Sequence, residues 1–408
     1  MALLGPAFVA AVAYVDPGNF AANVQAGVTF GPLLLWVVVA ANLVAMLVQY
    51  LSAKLGSATG ESLPQLCRRH YPRPVVIGLW LQAEAVVIMT DLAEVIGGAI
   101  ALNILFGLPL PVGGAVTAVV SLALLPMRGR GRRRFELLMT LSLTLLLGVF
   151  LSQVVAADGV ARSVVGLVPH LRGGDSLVMA GSIVGATVMP HVVYLHSALT
   201  SEQRHALAAV EDREGQGTET GVEASHRRML RHVRADVLIA LAVAGAVNAA
   251  LLITAATSLY GKAPAAGDSL NAAYEAYGRL VGPAAAAAFA VALLVSGLAG
   301  TSVGAYTGQI VMGGFLRRGV PVLLRRVVTL VPALAVLLSG MSPTEALVLS
   351  QVVLSFGIPF VLLPLILFTR DKALMGRWAN RPTTTACAVL AAGLVIVLNV
   401  WLLAQLVL

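Results

Sequence analysis

Apolar stretches of membrane-crossing length recur from one end of the chain to the other, parted by short polar connectors. A helix needs about 20 mostly apolar residues to cross a hydrocarbon core. On that measure eleven spans are predicted, roughly 4–26, 32–55, 75–105, 112–126, 135–156, 177–200, 234–260, 281–313, 323–339, 343–368 and 384–407. The fourth and ninth are short. The largest polar insert, Ser201 to Asp236, carries mixed charge and a Gly/Thr/Glu-rich centre, and reads as a loop. The whole chain, 1–408, reads as one transmembrane domain.

Two spans are interrupted. In the first, Asp16-Pro17-Gly18-Asn19 falls inside apolar sequence: a carboxylate, a residue without an N–H and a residue without a side chain break a helix there. In the sixth, Met189-Pro190-His191 does the same. A shift of five spans reverses membrane orientation, so halves of about 4–156 and 177–368 would form a 5+5 inverted repeat, with 384–407 as an added helix. Paired broken segments at matching positions point to the binding site of a secondary transporter.

The breaks carry usable chemistry. Asp16 supplies a carboxylate and Asn19 a neutral oxygen about one turn on. Pro17 removes a donor and frees carbonyls such as that of Ala13; the sixth span offers the Met189 thioether and the Ala186 carbonyl. One negative charge, neutral oxygens and one sulfur suit manganese or ferrous iron better than magnesium or calcium, which prefer all-oxygen shells. Met189 could instead be an apolar filler. Asp16 has no such bland reading, since a carboxylate at the bilayer centre costs at least ~2.5–3.5 kcal/mol.

Other polar residues inside apolar spans form a second tier. His191 is placed to support the ligands or accept a proton, while His196, five residues on, is either a packing residue or part of an inner vestibule. Glu84, Asp91 and Glu94 share one face of the third span, as a proton relay or as structural ion pairs, with Arg325 and Arg326 as partners for the deeper acids. Gln351 either packs against a neighbour's backbone or reaches the metal. Asn42 and Asn248 suit hydrogen bonding between helices.

Composition agrees with a membrane setting: 58% of residues are hydrophobic and 11% charged, where soluble chains carry about a quarter charged. The net charge of +8 is a topology signal rather than a nucleic-acid footprint. With the N-terminus inside, 23 of the 27 Lys and Arg fall on the cytoplasmic side, leaving only Arg162, Arg172, Lys262 and Arg279 outside. That orientation puts the C-terminus outside. Cys67 and Cys387 make no disulfide or zinc framework, and no signal peptide is evident.

Asp16-Pro-Gly-Asn19, Met189-Pro-His191 with Tyr194-Leu-His-Ser197, and Thr90-Asp-Leu-Ala-Glu94 make the chain similar to the Nramp family of proton-coupled divalent metal transporters, whose bacterial members take up manganese. The resemblance covers essentially the whole sequence. It implies an all-α polytopic membrane protein of LeuT-like fold in the bacterial inner membrane, acting as a monomer, with no prosthetic group. It further implies metal ligation by Asp16, Asn19, Met189 and the carbonyls of Ala13 and Ala186, with Gln351 joining in the occluded state. Asp16, His191, Asp91, Glu94, Arg325 and Arg326 would carry protons, and the retained Met189 resembles the manganese/iron branch. Two positions depart from the family pattern: Val192, where many members have Asn, and His170, where close bacterial relatives have Arg. A cytoplasmic tail common in relatives is missing before the first span.

Three other readings use the same residues. A passive cation channel would line its pore with these acids, but a second broken helix at the inverted-repeat position suits alternating access better. A transporter of a small organic substrate would need no thioether beside a carboxylate. A membrane enzyme would need a nucleophile–base pair, which is absent.

Overall fold

Proline stands in the first turn of most of the long helices, where its missing N–H costs nothing. The computed structural model describes residues 5–124, 132–157, 159–213, 219–316 and 321–407. Among them the first half gives α1 (Pro6–Ala13), α2 (Pro17–Phe30), α3 (Leu35–Thr59), α4 (Leu63–His70), α5 (Arg73–Phe106), α6 (Leu110–Leu124) and α7 (Arg132–Ala156). The second gives α8 (Gly173–Thr187), α9 (Pro190–Arg213), α10 (Glu219–Ser258), α11 (Leu270–Leu280), α12 (Pro283–Leu316), α13 (Val322–Ser339), α14 (Pro343–Arg370) and α15 (Pro382–Val407). Gly60 and Gly107 close α3 and α5 in the left-handed region, at φ 73° and 67°.

Every predicted span is helical, and no strand occurs among the described residues. Among the described residues, eight stretches can cross a membrane by length and composition, Pro17–Thr59 being counted as one, and Leu110–Ala123 and Val327–Ser339 are shorter apolar helices. Large apolar side chains stand exposed along these helices, among them Val155 at 79%, Leu338 at 71% and Val397 at 68%. An apolar exterior of that extent is a lipid-facing surface.

The reading of Ser201 to Asp236 as a loop is corrected. Helix α9 continues to Arg213 and α10 begins at Glu219. The segment 202–213 is rich in Ala, Glu and Arg and has no Gly or Pro, so nothing in it stops the helix. Arg128, Arg130, Arg317 and Arg318, used above for orientation, lie outside the described residues.

At the centre, α1 packs on α7, α10 and α12, while α2 lies against α10 and α8. The two long helices α5 and α12 run face to face, α14 crosses α5 and α8, and α15 covers the outer side of α14. Asp236 of α10 caps the start of α1, its carboxylate accepting from the Gly5 and Ala7 amides at 3.2 and 3.0 Å. That cap satisfies donors at a helix start that has no capping side chain of its own.

Candidate metal site between two interrupted helices

Both breaks have the same covalent cause. Within an α-helix the carbonyl of residue i accepts from the N–H of residue i+4. Pro17 stands four residues after Ala13, and Pro190 four after Ala186, so neither carbonyl finds its helical donor. At the first break Tyr14 and Val15 tighten onto Ala11 and Val12 at 3.1 Å each, and Asp16 turns extended, at φ −85° and ψ 168°. Asp16 then caps α2, its Oδ1 accepting from the Asn19 amide at 2.8 Å. At the second break Val188 leaves the helical region, at φ −97° and ψ 80°, and Met189 links α8 to α9.

Neighbouring helices take the carbonyls that unwinding exposes. Asn248 of α10 donates to the Tyr14 carbonyl at 2.8 Å and Ser296 of α12 to that of Val15 at 2.5 Å. Asn248 also accepts from Asn23 at 3.2 Å. Asn248 therefore holds the broken backbone rather than only joining two helices.

The breaks meet through Asn19. Its Nδ2 donates to Asp16 Oδ1 at 2.7 Å and to the Ala186 carbonyl at 2.9 Å. Both amide hydrogens being used, Asn19 Oδ1 is left as a bare acceptor, and it has no partner. Asp16 Oδ2 and Gln351 Oε1 are likewise buried without partners. Gln351 reaches the same break: a methyl group added at Gly18 would overlap its amide, whose Nε2 donates to Ser350 at 3.0 Å. Met189 is fully buried in the apolar core that also holds Ala13 and Val15. Thr187, whose hydroxyl has no partner, lies at the end of α8. Sequence reasoning passed over Thr187, although a hydroxyl between Ala186 and the break was its signal.

Each buried unsatisfied oxygen costs about 1–3 kcal/mol. Gathering three of them, one a carboxylate, at one break is a net expense unless a cation arrives to use them. Asp16 and Ala13 are each 1% exposed and Asn19, Met189, Ala186 and Gln351 0%, so the site is sealed from both sides. An ion could enter or leave only in another conformation.

Pro17 also fixes the neighbouring acid row, since its ring fills the place where a side chain at Gly97 of α5 would stand. Gly97 is one turn beyond Glu94. Asp91 and Glu94 are buried and Glu84 nearly so, all three turned toward α12 and α13. Glycines make the room: a methyl at Gly300 would come within 2.9 Å of Glu94 Oε1, and one at Gly304 within 3.0 Å of Asp91 Oδ1. At Gly308 it would overlap the Arg325 guanidinium.

Arg325 Nη2 pairs with Glu84 Oε2 at 2.8 Å, and Trp80 donates to the other Glu84 oxygen at 3.1 Å. Arg325 is thus paired with Glu84, the acid nearest the start of α5. Arg325 stands in the first turn of α13, level with that end. It still lines one small cavity with Asp91, Gly304, Gln309 and Thr329. The Arg326 side chain lies outside the described residues.

His191 connects the second break to this row. Thr90, beside Asp91, gives its hydroxyl proton to the Val86 carbonyl at 3.0 Å, so His191 Nδ1, 3.2 Å from it, is the donor. His191 Nε2 is left as an unpartnered acceptor. His196 belongs elsewhere, with Nδ1 on Gln49 Oε1 at 2.8 Å, while Gln49 Nε2 donates to the Tyr14 hydroxyl at 2.7 Å. Asn42 lies between α3 and α10, filling the space over Gly245. His170 is exposed, its carbonyl accepting from Trp36 at 3.1 Å. The length of α8, about 22 Å, separates it from the break.

An all-α polytopic membrane protein whose two broken helices face each other across buried, unsatisfied oxygens belongs to the class of LeuT-like carriers. A family profile described as "Natural resistance-associated macrophage protein-like" matches residues 7–405. A protein of Mycobacterium tuberculosis (strain CDC 1551 / Oshkosh), named divalent metal cation transporter MntH, is 51% identical over 403 residues, covering 98% of this chain and 91% of its own. One of the same name from Bacillus subtilis (strain 168) is 45% identical over 402 residues, with 98% and 91% covered. The crystal structure of the Eremococcus coleocola manganese transporter superposes with a TM-score of 0.82 at 30% identity, over 98% of this chain and 85% of that one. The chain belongs to the Nramp family.

Proposed function

We propose that this protein is a secondary transporter that carries Mn2+, and similar divalent transition metals such as Fe2+, into the cytoplasm together with protons by alternating access. The observation that carries the reading is the trio of buried oxygens without partners, Asp16 Oδ2, Asn19 Oδ1 and Gln351 Oε1, gathered where Asn19 grips the Ala186 carbonyl. The names of the family relatives agree with it.

In this reading Asp16, Asn19, Met189 and the carbonyls of Ala13 and Ala186 ligate the metal, and Gln351 joins them in the sealed state. Thioether sulfur favours a softer cation, so Met189 sets discrimination more than affinity. Met189→Ala should leave Mn2+ uptake measurable while Ca2+ or Mg2+ competes about 10-fold better. Competition assays in proteoliposomes check this, and unchanged discrimination removes Met189 from the selectivity role.

The metal's charge beside Asp16 favours its ionised form and expels its proton. His191 Nε2 and the row of Asp91, Glu94 and Glu84 with Arg325 and Arg326 offer that proton a way on. Asp91→Asn should keep Mn2+ entry and lower the accompanying internal acidification several-fold, read with a pH dye inside proteoliposomes. Mn2+ flux without proton movement in the parent protein would favour a channel instead. The finer architecture follows the same reading: a single domain over 1–408, eleven spans, halves of about 4–156 and 177–368, and α15 added. The N-terminus lies in the cytoplasm and the C-terminus outside, in the bacterial inner membrane, and a monomer suffices.

A further inference from the structure

One cleft lies well away from the broken helices. Between the end of α14 and the start of α15 lies a cleft of about 800 Å³, lined by the polar Arg370, Lys372, Asn380 and Thr385 and by the apolar Leu367, one turn before Arg370, and Val389, one turn beyond Thr385. Arg370 and Lys372 are exposed, and among the described residues neither has a carboxylate partner. Asp371 also lines the cleft, its Oδ1 accepting from the Ala373 amide at 2.8 Å, so the lining carries two cations against one carboxylate.

Asn380 is held rigidly, its amide N–H on the Thr369 carbonyl at 2.9 Å and its Nδ2 on the Thr369 hydroxyl at 2.8 Å. Behind it lies Lys54, 6% exposed, whose ammonium donates to Asn380 Oδ1 and sits 5.7 Å from the Tyr50 ring centre. A neutral amide and an aromatic ring are all that meet this buried cation among the described residues. Buried charges are ordinarily paired, so Lys54 is one counter-charge short. An anion in the cleft would supply it across Asn380. The start of α15 at Pro382 adds the positive end of a helix dipole to the same lining.

The apolar part of the lining settles which anion. Leu367 and Val389 are 42% and 53% exposed, and they continue into Leu363 at 50% and Leu390 at 65%, part of the lipid-facing surface. A soluble anion would gain nothing from these side chains, whereas acyl chains would cover them. Basic pockets between membrane helices on the cytoplasmic side are suited to anionic headgroups. We propose that the cleft binds an anionic phospholipid, its phosphate held by Arg370 and Lys372 and its acyl chains lying along Leu367 and Val389. The inference rests on the membrane-spanning reading above, but not on the metal site.

The test is titration of the purified full-length protein in neutral detergent, followed by native mass spectrometry. The probes are dioleoyl-phosphatidylglycerol, dioleoyl-phosphatidylcholine and inorganic phosphate. Phosphatidylglycerol should bind in preference to phosphatidylcholine. Arg370→Gln with Lys372→Gln should weaken it about 30-fold, the factor two basic residues supply near a charged surface. The charge-keeping pair Arg370→Lys with Lys372→Arg should hold it within about 3-fold of the parent on the same scale. Equal binding of the two lipids, or a glutamine double variant that binds like the parent, overturns the proposal. Displacement of phosphatidylglycerol by inorganic phosphate at roughly equal concentration overturns the lipid as occupant. Mn2+ binding measured on the same samples reports the metal reading separately, since neither substitution touches that site.

Discussion

Asp16→Ala will abolish saturable Mn2+ binding. Asp16 is the one carboxylate at the paired breaks, and its Oδ2 is the only charged atom among the three oxygens left without partners there. Losing it leaves a site of neutral oxygens and one sulfur, too weak to offset the dehydration of a divalent ion. A weakening of at least about 100-fold is expected, beyond what changes to supporting residues cost a metal site. The same substitution removes the cap on the Asn19 amide, made at 2.8 Å, worth ~1 kcal/mol to α2, which is not enough to unfold the protein. Isothermal calorimetry on the purified protein, with thermal melts as a folding control, is the measurement. Unaltered affinity in a folded variant would end the assignment of Asp16.

The second large effect concerns stability. The side chains of Arg325 and Glu84 are 10% and 15% exposed and pair at 2.8 Å. Removing one partner of a nearly buried pair costs about 3–5 kcal/mol, because the other charge stays behind, whereas replacing both with apolar residues costs far less. Arg325→Leu alone should therefore lower the melting temperature sharply, and Arg325→Leu with Glu84→Leu should recover part of the loss. Transport should not recover with it. Arg325 lines one cavity with Asp91, so the double variant still lacks the cation that faces the proton row. Recovery of coupled proton movement along with stability would make the pair purely structural.

Features written in local chemistry are legible in the amino-acid sequence itself. Whereas Pro332, Pro359 and Pro364 stand inside continuous helices, a proline beside a carboxylate or a thioether inside an apolar run marks a candidate break, as at Asp16-Pro17 and Met189-Pro190. Their joining through Asn19 and the Ala186 carbonyl follows from pairing two such breaks. Gln351 stands out because an amide in an apolar span needs a partner, and it is found against Gly18. What the sequence hides depends on contacts across the chain. Nothing local says that Asn248 and Ser296 take the carbonyls of Tyr14 and Val15, more than 230 residues away, or that Asp236 caps α1.

The glycines of α12 are a subtler case. Gly300, Gly304 and Gly308 are spaced by four, and only the fold shows that this lays them opposite Glu94, Asp91 and Arg325, where they give charged side chains room. Arg325 shows the opposite failing. Sequence could offer it as a cation for the row, but only the start of α13 at Val322 sets its height and brings it within reach of Glu84.

The most direct test of the central claim is a crystal structure with Mn2+ bound, recorded at the manganese absorption edge. A single anomalous peak should lie between the two breaks, in contact with a carboxylate oxygen of Asp16, with Asn19 and with the sulfur of Met189. A peak elsewhere, or one at the breaks out of reach of Asp16 and Met189 together, would contradict the account.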